Sequence, residues 1–324
     1  MERTPQRATG FDFTVVNVPD FFARARLYEQ ATVFIVEEHG RIAGSAACAI
    51  RDVLIDGRPY RVAYEFQYFT AAQYQGRGVA RQLHAHIEDH LIRHGVELTT
   101  AITSDNNQAS IRLFEGHGFL RHRALDLHLV AVVPHIDMRS DLPIRRATAG
   151  DLPAVARLIN LTWGRHDLFA PTSPDELSAQ IERALGQAPG DVLVLEEGGD
   201  IVACAGVWDW GGVQQLRITA VEPSNSSTPA FGALVPGQTL RQWGLTAVGF
   251  RRPEQLATLL RCVTNRALDQ SVAHVGLLSE PGHPSARVVE GFAQVVTPVR
   301  FYAKQLHPHA TLGDRPLFVD MTDI

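Results

Sequence analysis

Cysteine is scarce in this chain. Three are spread over 324 residues, Cys48, Cys204 and Cys262. No two stand close enough to form a metal-ligand pair, and three distant thiols make no disulfide framework; they fit buried small residues in a reducing cytoplasm. The 14 histidines include no His-Glu-x-x-His spacing, so no metal is expected. Long apolar runs are missing, which excludes a membrane-spanning helix. Met1 to Gly10 is polar and charged, which is not a secretory signal. An excess of positive charge is also missing: the net charge of −5 gives no support to a general nucleic-acid-binding role. What remains is ordinary for a globular chain, with 45% hydrophobic and 20% charged residues. The length suggests about two domains of ~150 residues.

The most informative stretch is Gln75-Gly76-Arg77-Gly78-Val79-Ala80. Before it, Tyr64 to Thr70 is aromatic and β-branched, the composition of a strand. After it, Val79, Leu83, Ile87 and Leu91 recur every fourth residue and mark one face of a helix that stops at Gly95. A glycine turn opening a helix leaves backbone N–H groups that no helical carbonyl satisfies. With the positive end of the helix dipole they form an anion site. No Gly-Lys-Ser/Thr follows, so this is not a Walker loop, and Arg81 stands where a dinucleotide fingerprint needs its third glycine. Such a turn can also be a plain helix cap, and Asn107 downstream can be a plain N-cap.

The pattern that fits is Gln/Arg-x-x-Gly-x-Gly/Ala, with Gln75, Gly78 and Ala80 in the three defined places. It resembles the acyl-CoA loop of the GNAT superfamily of N-acetyltransferases. A second element, Asn107 to Phe119 with Phe114 and Gly118-Phe119, is similar to that family's Asn-x-x-Ala-x-x-x-Tyr-x-x-x-Gly-Phe helix in order and distance. The resemblance implies an α/β (α+β) fold of mixed, largely antiparallel twisted sheet flanked by helices. It implies acetyl-CoA as co-substrate and a primary amine as acceptor. The N–H groups of Gln75, Gly76, Arg77, Gly78, Val79, Ala80 and Arg81 would hold the pyrophosphate, with Arg77 or Arg81 adding charge. The backbone of Tyr68, Phe69 and Thr70 would pair with the pantetheine arm, and Asn107 and Phe114 would line it.

For catalysis, Phe114 stands where the family often carries tyrosine, and phenylalanine has no proton to give. Tyr68 and His117 are substitute acids, and Glu65 or Tyr64 is the candidate base. Adjacent strand residues face opposite sides, so only one of the latter two can point into the cleft. Glu65 is favoured because a carboxylate can take a proton from an ammonium, directly or through water. A non-catalytic CoA-binding regulator is the alternative.

Phe13 to Val18 is predicted as a first strand, Asp20 to Tyr28 as a short helix, and His39-Gly40 and Asp56-Gly57 as hairpin turns. A closing pair of strands is expected over Leu120 to Val133, and a linker over Pro134 to Pro143. The same grammar then restarts, which divides the chain into residues 1–140 and 141–324. Pairing Gly291-Phe292 with Gly118-Phe119 sets Val248 to Pro253 opposite Gln75 to Ala80, and Glu280 opposite Asn107. The second copy therefore looks degenerate, with Arg251 in place of Gly78 and no N–H at Pro253. Val221 to Gln238 is expected as a long loop. Only a short segment separates the first two strands, so the acceptor side is either open or closed by the second domain. The oligomeric state is left open.

Overall fold

The computed structural model describes residues 6–8, 11–133, 143–184, 188–222, 227–228 and 232–324. The expected linker thus lies outside the described residues from 134 to 142, as do 223–226 and 229–231 of the expected long loop. In the first half the strands are β1 (Gln6–Ala8), β2 (Phe11–Asn17), β3 (Ala31–Glu38), β4 (Arg41–Ile55), β5 (Arg58–Thr70), β6 (Leu98–Ser104) and β7 (Leu120–Ala131). Helix α1 (Val79–Arg93) follows β5, and α2 (Gln108–Gly116) follows β6. The second half holds β8 (Ile144–Arg146), α3 (Leu152–Trp163), α4 (Pro174–Arg183), β9 (Val192–Glu197), β10 (Asp200–Asp209) and β11 (Gln214–Val221). The two-residue strands β12 (Ser227–Thr228), β13 (Gly232–Ala233) and β14 (Thr239–Leu240) come next. Then follow β15 (Gln242–Phe250), α5 (Pro253–Leu268), β16 (His274–Ser279) and β17 (Gln294–Gln305).

Eleven strands form one sheet in the order β3-β4-β5-β6-β17-β7-β16-β15-β10-β9-β8. The pairs β5–β6 and β15–β16 are parallel, and the other pairs of this sheet are antiparallel. The two halves exchange their last strands. β17 enters from the second half between β6 and β7, and β7 in turn pairs with β16. The closing pair expected over Leu120 to Val133 is therefore a correction. That segment is a single strand, and its partners come from the other half. The first strand differs too. β2 joins a separate sheet, β1-β2-β11-β14, where it pairs with β11. Asp20 to Tyr28 holds only a 3-10 turn at Ala25–Leu27, with Asp20 bonded to the Phe22 N–H.

The core is laid down by α1 on β4 and β5. Val79, Leu83, Ile87 and Leu91 are each at most 2% exposed and pack on Ala46, Cys48 and Ala63. Small residues on β4 bring the helix close. A Cβ on Gly44 would stand 2.5 Å from Val79 Cγ1 and 2.6 Å from the Phe69 carbonyl oxygen. The seat of the helix start on the sheet thus requires glycine there. α5 packs similarly on β10, β15 and β16 through Leu256, Leu259, Leu260 and Val263.

Burial of histidine predicts acid sensitivity. His274 is 2% exposed, with Nε2 3.0 Å from Gln242 Oε1, and burial pushes its pKa from 6.5 down to about 4. Burial, and secondarily His283, lowers His166 to about 4 as well. Between pH 6.5 and about 4 the unfolded chain then binds protons that the folded chain refuses. Stability is full above that window and is lost as pH falls through it. Asp320, raised to about 6 by burial, works in the opposite direction and offsets part of the loss. His274→Gln is expected to flatten the acid limb of the unfolding free energy against pH, measured by urea titration, by up to about 3 kcal/mol. An acid limb identical to that of the parent chain would remove His274 as its cause.

Candidate functional site

The site is built where β5 leaves β6. The parallel ladder runs from Val62–Leu98 to Glu65–Ala101 and ends there. β6 continues to Ser104 against β17, while β5 continues to Thr70 against Gly44 of β4. The turn away from β6 has a local cause. The β4–β5 register slips between Ser45 and Ala47, and Gln67 adopts φ +54°. A bulge of this kind bends its strand. The β6-facing edge of Phe66 to Thr70 is left without a ladder partner among the described residues, at the mouth of a cleft.

The glycine turn stands beside that cleft. Gly76 and Gly78 have φ +74° and +82°, and Gly78 is the N-cap of α1 with no side chain capping it. Arg77 N–H bonds the Tyr74 carbonyl at 3.3 Å, and Gln82 N–H bonds the Gly78 carbonyl at 3.0 Å. No acceptor takes the N–H groups of Gly76, Gly78, Val79, Ala80 or Arg81 among the described residues. A Cβ built on Gly76 or Gly78 would meet nothing within 4 Å. The result is an open cradle of donors at a helix N-terminus, which suits a phosphate. Arg77 and Arg81 are exposed beside it, with the Arg77 guanidinium 5.6 Å from the Tyr74 ring centre.

Glu65 and Tyr68 are brought together because the bulge turns both toward α1. Tyr68 Oη donates to Glu65 Oε2 at 2.5 Å, and Thr99 Oγ1 donates to Oε1 at 2.8 Å. His84 Nδ1 lies 3.1 Å from Oε2 and 3.2 Å from the phenol. Glu65 is 1% exposed, and polar partners from three elements engage its two oxygens. Burial, and then the Glu65 charge, raises the Tyr68 phenol well above its ordinary pKa of 10.0, so it stays protonated at neutral pH. The expectation that Glu65 takes a proton from an entering ammonium meets an enclosed carboxylate with both oxygens engaged. Its neighbour Tyr64 faces the other side of the sheet. There its hydroxyl bonds the Asp323 carbonyl and receives Arg24 Nη2 at 3.3 Å.

Sequence reasoning missed His84, Glu88 and Lys304. His84 is 1% exposed and sits one residue beyond the apolar stripe of α1, so its inward direction was the only signal available. Its Nε2 is 3.4 Å from Glu88 Oε2, which Lys304 of β17 reaches at 2.7 Å. The exchanged strand thus contributes a charge to the first half's site. Asn107 caps α2, accepting the Ser110 N–H at 3.1 Å. Phe114 is 3% exposed in a cluster with Tyr68, Phe119 and Tyr302, where Tyr68 meets it edge-on at 5.7 Å. His117 lies against His84, with ring centres 4.3 Å apart; burial, and then the His84 charge, lowers its pKa. On the other side of the sheet, Tyr28, Tyr64 and Arg51 meet Asp323, so the C-terminal residues of the second half pack against β4 and β5 of the first.

The second half repeats the bulge but not the cradle. The β10–β15 register slips between Cys204 and Gly206, Ala247 has φ +47°, and β15 leaves β16 after Gly244. Residues 71–78 separate β5 from α1, whereas only Arg251 and Arg252 separate β15 from α5. Matching Gln75 to Ala80 with Val248 to Pro253 is therefore corrected, because Val248 to Phe250 are strand residues and the loop itself is missing. α3 fills the parted edge. Trp163 Nε1 donates to the Val248 carbonyl at 2.6 Å, and the Thr162 hydroxyl both donates to the Phe250 carbonyl (3.1 Å) and accepts its N–H (2.9 Å).

Residues 3–119 match the family described as Acetyltransferase (GNAT) family. No curated protein matches the chain. Among solved structures, a GCN5-related N-acetyltransferase from Sphaerobacter thermophilus is similar in fold. It has 18% identity and a TM-score of 0.56 over 88% of this chain and 83% of that one. Saccharomyces cerevisiae N-myristoyltransferase, solved with bound myristoyl-CoA, has 10% identity and a TM-score of 0.66 over 96% of this chain and 81% of its own. The segment with the parted strands, the glycine cradle, α1 and α2 is thus the part of the chain that is similar to the GNAT family, and the solved structures share its fold.

Proposed function

We propose that this protein is an N-acyltransferase that moves an acetyl group from acetyl-CoA to a primary amine by direct attack in a ternary complex. The observation that carries the reading is the open N–H cradle at Gly76 to Arg81 beside the unpaired edge of Phe66 to Thr70. The cradle holds the pyrophosphate. The free strand edge bonds the pantetheine arm, and an N–H of Phe69 or Thr70 polarises the thioester oxygen. The neutral amine attacks the carbonyl carbon, a C–N bond forms, and the C–S bond breaks. Tyr68 gives its proton to the departing thiolate, and Glu65 and His84 hold the phenol in place. The amine's own proton leaves to water, since Glu65 is enclosed. The family resemblance and the thiol-only cysteine chemistry agree with a cytoplasmic enzyme. No helix among the described residues is long and apolar enough to cross a membrane.

The test is turnover of acetyl-CoA against a panel of small amines, read as free CoA thiol. Octanoyl- and myristoyl-CoA serve as further donors, since the yeast structure carries a long chain. Calorimetry is expected to find one CoA per chain, because Trp163 and Thr162 occupy the parted edge of the second half. Two equivalent CoA sites would overturn that assignment. Tight CoA binding without turnover of any donor would favour the regulatory alternative.

A further inference from the structure

A cavity of about 440 Å³ lies between the two halves, bounded by β4 and β5 on one side and by α3, α4 and β15 on the other. Its apolar lining includes Ile159, Phe169, Ile181 and Phe318, and its cationic lining is Arg51, Arg61 and Arg183. The volume is in the usual range for a small-molecule site.

The Nε atoms of these three arginines are all buried without an acceptor. Arg51 spends Nη2 on Asp323 Oδ2 at 2.8 Å, and Arg61 spends Nη2 on Gln30 Oε1 at 2.9 Å. Arg183, in the last turn of α4, has no hydrogen bond or ion pair among the described residues. The cavity's carboxylates are not placed to satisfy it. Glu176 accepts the Ser173 N–H at 2.6 Å, Asp320 accepts the N–H and hydroxyl of Thr322 at 2.9 Å, and Asp52 faces Arg61 at 3.8 Å; Glu29 is exposed. Burying a polar group without a partner is costly, and native proteins pair such groups. A guanidinium fork has only donors, and its matching partner is a bidentate acceptor such as a carboxylate.

We propose that this cavity binds a small organic carboxylate with an apolar body. The carboxylate pairs with Arg183, Arg61 supplies a second donor, and the body rests on Phe169 and Ile181. This is a second site, separate from the acyl-transfer cleft. Arg61 is several strand residues from Phe66, about 17 Å along β5. The inference does not depend on the acyltransferase reading, because its test requires no turnover.

The experiment is calorimetry on the full chain with phenylacetate and hexanoate. The uncharged 2-phenylethanol and 1-hexanol act as controls with the same bodies. Saturable binding of one carboxylate per chain is expected, at least about tenfold tighter than the alcohols. Arg183→Gln is expected to weaken carboxylate binding about tenfold or more and to leave CoA affinity unchanged. Should that variant not fold, Gln180→Trp decides instead, since it sets an indole from an exposed position against the same cavity. It is expected to abolish carboxylate binding. No saturable binding by the parent chain, alcohols that bind as tightly as carboxylates, or full carboxylate affinity in the folded variants would each overturn the proposal.

Discussion

Gly78→Asp is expected to lower CoA affinity at least about 100-fold while the chain stays folded. The new Cβ meets open space, so nothing in the protein is displaced. The left-handed backbone at φ +82° costs a β-carbon residue about 1 kcal/mol, and aspartate is among the residues that tolerate it. Aspartate is also a favoured N-cap and sits well at the positive end of a helix, so α1 gains part of that cost back. The same carboxylate occupies the cradle that the pyrophosphate requires and repels it, and like-charge contacts cost several kcal/mol. Gly78→Ala separates the two effects, since it adds the β-carbon without the charge and is expected to cost much less. A folded Gly78→Asp variant that binds CoA with unchanged affinity would mean that the phosphates lie elsewhere.

Tyr68→Phe is expected to reduce kcat by roughly 10²-fold, the usual size of a general acid's contribution. The phenol is oriented by Glu65 Oε2 at 2.5 Å and His84 Nδ1 at 3.2 Å, and it lies edge-on to Phe114, which has no hydroxyl. Because its pKa stands well above 10.0, Tyr68 stays protonated through the working range. The deficit is therefore expected to be nearly constant from pH 6 to 9, with any Tyr68-dependent limb lying above pH 10. CoA affinity is expected to hold. A merely structural role would behave differently: losing a donor to a buried carboxylate would lower thermal stability by about 1–3 kcal/mol without a matching loss of kcat. A variant with normal kcat would leave water as the proton source.

The glycine turn, α1, α2, α5 and the two tight hairpins were legible in the residues, because their causes are local. A stripe at every fourth position needs only one helix, and a positive φ at Gly76 or Gly78 needs only a missing β-carbon. Strand partners carry no such local mark. Alternation tells which face of a strand is buried, not which strand lies beside it. Pro298 lies within β17, a central strand. It is tolerated in β17 because the ladder to β6 begins at Val299, so the missing N–H falls beyond its end.

The chain by itself therefore determined the anion cradle, the helix it opens and the family it resembles. Tertiary structure alone decided the exchange of β7 and β17 and the pairing of β2 with β11. It also enclosed Glu65 among Thr99, Tyr68 and His84, and brought Lys304 from the far half to Glu88. These depend on contacts between residues remote in sequence. Their free energy comes from burying surfaces together, and that choice is made only when the whole sheet is assembled.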